Sequence, residues 1–375
     1  MKDRPFFPAV EVREEKDHVQ GRIGFKVETI INGQLLADAV QVPNAKVRHP
    51  LDPVQLQGKR EALLQALAAW ADEGIFELHY KASPNILYQT RGRLEITLTL
   101  TSCAGSEEEV KEGLIISYLS LHPLLRSHLP EITFCPIQEL QELQERTGLA
   151  QSPGVVCIHR RKEAINVDQP SERLSVQGFG HANRSREKTK SGWSLVEHTF
   201  PFVPAQDDWS ILLKTLMNQL DPVHVLIRLK SVGEEDRDAG SLEQTIQQCE
   251  QIMNAHQDGL PAYHQAKELR SAVIKQQAEQ AGVAFRVGVF VLKGSGADRG
   301  LARVLGRSMT AGGYLEEEKD IYQGGFACTS LDQEPVQDAG YFYEQGCFSV
   351  REAAAAFRLP SPPLEDIPGL PVQRA

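Results

Sequence analysis

No stretch of this chain reaches the about 18 consecutive apolar residues of a membrane helix, so no helical membrane span is expected. The opening "MKDRPFFPAVEVREE" has no apolar run of the signal-peptide kind, and the expectation is a cytoplasmic protein. Cysteine is sparse. The six residues at 103, 135, 157, 249, 328 and 347 include no CxxC and no close pair, which favours reduced thiols over a disulfide framework. No HExxH, no paired Cys/His spacing and no GxSxG occurs, so zinc chemistry and a nucleophile elbow find no support, and no metal is expected. A Walker A loop, GxxxxGK[ST], is missing too: Lys188, Lys190 and Lys214 precede Ser or Thr, but none follows a glycine loop. Basic charge is in the minority, with 40 Lys+Arg against 50 Asp+Glu and a net charge of −10. That excludes a surface basic throughout, though not a local patch or a ring of lysines around a pore.

What is present is ordinary globular material: 375 residues, 41% hydrophobic and 24% charged, enough for two or three domains. The pattern is α+β, a small N-terminal β domain followed by mixed α/β units whose helices cover the sheets. Residues 1–54 read as that β domain, with Asn32-Gly33 between apolar runs as a hairpin turn. Residues 55–150 read as a first α+β unit. In it "EALLQALAAW" puts Leu63, Leu67 and Trp70 on one face, and Ser106 and Glu109 cap a helix striped by Val110, Leu114, Tyr118 and Leu121. Pro123 is expected to end or kink that helix. Residues 151–194 are a strand and a polar, basic loop, and 195–348 a second α+β unit with Trp209, Leu213, Leu216 and Leu220 facing inward. "AWADEGIFELHYK" and "NQLDPVHVLIRLK" resemble each other loosely, each a helix giving way at once to a strand. Residues 349–375 form a helix capped by Ser349 and Glu352, then a proline-rich strap.

The most tempting motif is "FVLKGSGADRGLARVLGRS", strand, glycine loop and helix. Its third glycine is one place late for a dinucleotide fingerprint, and Arg307 stands inside the predicted helix where Walker A needs a lysine at its mouth. It reads as a turn with Asp298 or Ser295 as helix cap. His79 and His224, in predicted strands, read as hydrogen-bonded packing residues, and no pair of carboxylates stands out as an acid and base. No catalytic and no cofactor-binding residue is therefore assigned. "HRRK" and "NRSREKTK" gather Arg160, Arg161, Lys162, Arg184, Arg186, Lys188 and Lys190 around one connection. Such a segment can track a phosphate backbone, each contact adding a salt-sensitive increment. Without interleaved aromatics it offers no base-specific readout.

The tail "SVREAAAAFRLPSPPLEDIPGLPV" resembles the segment that precedes the motor core in HerA/FtsK-type P-loop ATPases and their VirB-type conjugation and secretion relatives. "HTFPFVPAQDDWSILLKTLMNQLDPVHVLIRLK" and "AFRVGVFVLKGSGADRGLARVLGRSMTA" resemble earlier units of the same region, and the likeness spans roughly residues 195–371. The resemblance implies an interdomain strap through Phe357, Arg358, Pro360, Pro363, Pro368 and Gly369. It implies ATP and Mg in a motor core that follows such a strap, none of whose catalytic residues maps onto this chain. It further implies a homo-oligomer, a hexamer in the full protein, and an effector such as a nuclease, in anti-phage defence among other settings, with DNA as a further partner. Two other readings stand beside it: a nucleotide-dependent activity resting on "GSGADRG", and a stand-alone scaffold or adaptor.

Overall fold

In the computed structural model, which describes residues 7–15, 18–31, 53–70, 74–83, 93–149, 154–166, 173–175, 195–205, 209–233, 235, 240–255, 261–311, 325–360 and 370–373, the chain forms an α+β fold. Its elements in order are β1 (Glu11–Glu14), β2 (Val19–Ile31), α1 (Pro53–Leu67), β3 (Gly74–Ser83), β4 (Arg93–Ala104), α2 (Glu107–His128), β5 (Ile132–Pro136) and α3 (Leu140–Thr147). There follow β6 (Gly154–Arg160), β7 (Lys162–Asn166), β8 (Arg173–Ser175), β9 (Leu195–Thr199), α4 (Ser210–Met217), β10 (Val223–Val232), α5 (Gly240–Ala255) and α6 (Pro261–Gln280). The last are β11 (Ala284–Lys293), α7 (Arg299–Met309), β12 (Phe326–Leu331), α8 (Glu334–Gln337), β13 (Phe348–Ser349), α9 (Val350–Ala356) and β14 (Val372–Gln373). Eleven strands share one sheet whose main path runs β1-β2-β4-β3-β10-β11-β6-β12, and β8-β7-β9 form a second, small sheet.

The large sheet is built twice over. β2–α1–β3–β4–α2–β5 and β6–α4–β10–β11–α7–β12 share one topology. In each, the first strand lies between the third and the fourth, and the second pairs with the third. The two units meet where β3 and β10 pair antiparallel, with Leu78 opposite Ile227. These strands carry the two segments whose sequences resemble each other, and aligning Lys81 with Lys230 makes Leu78 and Ile227 equivalent. A two-fold relation between the units passes through that pair. One row then crosses all six strands as Phe25, Leu98, Leu78, Ile227, Val289 and Ile158, every member buried. The strands expected to form a separate β domain over 1–54 therefore belong to this sheet: β2 pairs with β4 from Val19 to Lys26. The Asn32-Gly33 turn lies outside the described residues.

Local chemistry explains the helices. Ser106 accepts a hydrogen bond from the Glu109 N–H, Glu107 to Glu109 face the positive end of α2, and Val110, Leu114, Leu121 and Leu125 are its buried stripe. Pro123 does not end α2, which continues to His128. It sits on the exposed side, where water can take the carbonyl it leaves unpaired. Trp209 caps α4 with a left-handed backbone (φ 67°), a strained conformation for a bulky residue, and its ring is fully buried against Tyr80 at 5.3 Å. α4 stops at Met217, so Leu220 falls beyond the helical period and lies 77% exposed instead of inward. At α7, Asp298 accepts from the Leu301 N–H at 2.9 Å and from Lys293 Nζ at 2.9 Å. The glycine loop before it needs Gly296 for a positive φ of 122°, and Gly154 lets it close on the sheet: a Cβ there would stand 2.0 Å from the Ala297 nitrogen.

The tail helix is a core element. Ala353 to Ala356 of α9 are fully buried, as methyl side chains allow another element to come close, and Ser349 and Glu352 complete its capping box. Phe357, Arg358, Leu359 and Pro360 are buried too. The Arg358 guanidinium lies over the Trp209 ring at 4.6 Å and donates to the Ser308 carbonyl, while Tyr80 Oη donates to the Arg358 carbonyl at 2.6 Å. β14 then pairs parallel with Ile30 and Ile31 of β2. Phe357, Arg358 and Pro360, expected in an interdomain strap, thus pack into this chain's own core. Pro363, Pro368 and Gly369 lie outside the described residues.

Candidate functional site

Two apolar strands carry charges that have no business in an apolar run unless paired. Glu77 in "GIFELHYK" and Arg228 in "VLIRLK" face each other across the β3–β10 seam, and both point to the side of the sheet opposite α2 and α4. Arg228 Nε donates to Glu77 Oε1 at 2.8 Å, and Arg22 Nη2 of β2 reaches Glu77 Oε2 at 3.1 Å. Arg228 also donates to the carbonyls of Val336 (2.7 Å), Asp338 (2.6 Å) and Tyr341 (3.2 Å), which ties the segment around α8 over the seam. Burial alone would raise the Glu77 carboxyl, but Arg22 and Arg228 outweigh it and hold the group well below the usual carboxylate range.

Beside this pair, His79 Nδ1 and His224 Nε2 lie 3.0 Å apart, as hydrogen-bonded packing histidines would. Thr99 Oγ1 donates to Glu77 Oε2 at 3.5 Å and so accepts from His79 Nε2 at 3.4 Å. His79 Nδ1 is then the acceptor for the His224 Nε2–H, and a single directed chain runs from His224 to Glu77. Both rings are buried, which depresses the pKa of each: His79 falls to about 3 and His224 well below its ordinary value. The neighbouring cations Arg22, Arg228 and Lys81 act in the same direction, and Glu77 opposes them. With folded values below the unfolded value of 6.5, the unfolded chain binds more protons in between. Stability is full above pH 6.5 and declines as pH falls toward 3. By pH 5 His79 is expected to cost on the order of 2 kcal/mol and His224 to add to the loss in the same direction, seen as a falling urea midpoint, and a His79→Gln, His224→Gln variant should lose most of that slope between pH 7 and 5.

The basic residues expected at a nucleic-acid surface separate. Arg160, at the end of β6, is 4% exposed. Its Nε donates to Glu344 Oε1 at 2.6 Å and its Nη1 to Glu352 Oε1 at 3.2 Å and the Cys347 carbonyl at 2.9 Å, over the Phe348 ring at 3.9 Å. Both carboxylates stabilise the charged guanidinium and raise its pKa despite burial. This corrects the expectation for Arg160: its charge is neutralised inside the fold and cannot meet a phosphate. Arg161 is half-buried with its guanidinium over Phe200 at 4.2 Å, and Lys162 is half-buried on β7. Arg184, Arg186, Lys188 and Lys190 lie outside the described residues.

The seam network was not among the sequence candidates. Its signal was in plain view, since a lone Glu and a lone Arg inside otherwise apolar strands must find each other or another counter-charge. The network is closed to bulk water, and its geometry suits holding protons in place and registering the two units. Among the described residues no group of three or more His, Cys, Asp or Glu is placed to hold a metal ion, and no helix is long and apolar enough to cross a membrane. Compared with known families and with curated proteins, the chain matches no family model and no curated sequence.

Proposed function

We propose that this chain is a non-catalytic N-terminal assembly and partner-binding region of a hexameric HerA/FtsK-type DNA-translocating ATPase that works with an effector such as a nuclease. The family element of this reading rests on the sequence resemblance of residues 195–371. The observation that carries the partner-binding element is an exposed apolar stripe on α2. Ile116 (59% exposed) and Leu119 (58%) lie one turn apart, with exposed Pro123 a further turn on, while the opposite side of the helix fills the core. Large apolar side chains aligned on one exposed helix face support contact with another protein more than scattered ones do.

The test is light scattering on size-exclusion fractions of the chain, alone and with a polypeptide carrying the Walker A core, with ATP hydrolysis read on the same fractions. A ring-sized species that hydrolyses ATP only when both parts are present is expected, and Ile116→Lys with Leu119→Lys should abolish it without lowering the melting temperature of the chain alone. Absence of any association or ATP hydrolysis removes the reading in favour of a scaffold; hydrolysis by this chain alone points back to "GSGADRG". A DNA role for the basic segment predicts that Arg184→Ala, Arg186→Ala and Lys188→Ala together weaken duplex binding and flatten its salt dependence, by about one unit of slope per lost contact.

A further inference from the structure

β5 pairs only with β2 among the described residues, and a groove of about 880 Å³ runs beyond its open edge. α2 walls one side of the groove and the start of α3 the other. α2 turns Tyr118, His122 and Arg126 toward it, a stripe beside its core-filling one, with about 6 Å of helix between successive members. Both rings are half-buried and rest on the fully buried ring of Phe25, at 5.6 and 6.1 Å and tilted by 19° and 13°. They stand 5.8 Å and 11° from each other, so the wall presents near-parallel rings. His122 Nε2 donates to the Phe134 carbonyl at 3.3 Å, which sets the imidazole before anything binds. The charges are matched except at the two ends. Lys26 and Glu142 pair at 2.9 Å, and Arg146 shares the same carboxylate. Arg126 is exposed, and among the described residues it has no counter-charge. Glu139 is its opposite past the far end of β5, whose four residue steps span about 13 Å.

We infer that this groove binds a planar aromatic carboxylate, its ring against Tyr118 and His122 and its carboxylate on the Arg126 guanidinium. Aromatic rings favour offset-stacked or edge-to-face contact with another ring, and both wall rings are half-exposed to an occupant. A ring centred over His122 brings its carboxylate within reach of a guanidinium one turn further on, whose planar fork takes both oxygens. One unmatched cation balances one negative charge. A phosphate dianion would carry a second, in a groove that already holds Glu139 and Glu142, and is disfavoured. The volume lies within the usual 300–1,000 Å³ of small-molecule sites and leaves room for a fused ring system.

The experiment is titration calorimetry of the full chain with three probes: 2-naphthoate, 2-naphthamide and decahydro-2-naphthoate. The amide removes the charge and keeps the rings; the saturated acid keeps the charge and removes the aromatic faces. 2-Naphthoate is expected to bind about tenfold more tightly than either. Arg126→Gln should bring it down to the level of the amide with the melting temperature unchanged, because Arg126 is exposed. Arg351→Gln, an equal loss of charge at an exposed position of α9, should leave binding as it was. No binding by 2-naphthoate, equal binding of the three probes, binding unchanged in Arg126→Gln, or an equal loss in Arg351→Gln would overturn the site. None of these outcomes bears on assembly with a motor core.

Discussion

Glu77→Gln is expected to lower folding stability by about 3–5 kcal/mol, although it changes neither shape nor volume. The carboxylate is 1% exposed and is the shared counter-charge of Arg228 and Arg22. After the change Arg22 keeps Glu11, at 3.9 Å, and the Thr101 and Thr147 hydroxyls, and Arg228 keeps three main-chain carbonyls, dipoles that do not replace a full charge in a buried site. Urea unfolding should show the midpoint displaced with the denaturant slope unchanged. Adding Arg228→Met should recover part of the loss, because it removes the stranded charge and fills the space with apolar atoms. A loss under about 1 kcal/mol for the single variant would mean that water reaches the seam and screens it.

For Arg160→Met the expected loss is similar, about 3–5 kcal/mol, but its pH signature has the opposite sign to that of the histidine pair. Removing the guanidinium leaves Glu344 and Glu352 buried together, and Glu352 also accepts from the Ser349 N–H in the cap of α9. Two buried carboxylates without a counter-charge repel each other, and a proton held between them relieves that repulsion. The folded variant then binds more protons than its unfolded chain, and its deficit relative to the parent shrinks as pH falls from 7 to 5. Parallel urea series at the two pH values measure this directly. An undiminished deficit at pH 5 would show that Arg160 acts by packing on Phe348 and not by charge. The same variant separates structure from recognition: a DNA affinity that tracks its stability loss reports unfolding, whereas the Arg184, Arg186 and Lys188 substitutions should leave stability unchanged.

Sequence alone determined several of the elements. Alternation and β-branched runs marked β3, β4, β10 and β11, and the Ser349–Glu352 box and the Asp298 cap marked helix starts, because these signals act within one turn or one strand. It also showed two short segments that resemble each other loosely, and only the fold reveals that they lie side by side in equivalent places of two like units. Tertiary structure alone decided what those elements meet. Strand order depends on contacts between residues far apart in the chain, so the place of β2 in the common sheet and the return of β14 to its edge have no local signature. The same holds for charge. Arg160 and Lys162 belong to one basic run in the sequence, yet only the fold brings Glu344 and Glu352 to Arg160, because an ion pair spanning nearly two hundred residues is fixed by packing. The proline-rich tail follows the same rule: Pro360 ends a helix wherever it stands, but whether the helix before it points outward or fills a core depends on the space that α1, β11 and Trp209 leave for four alanines and an arginine.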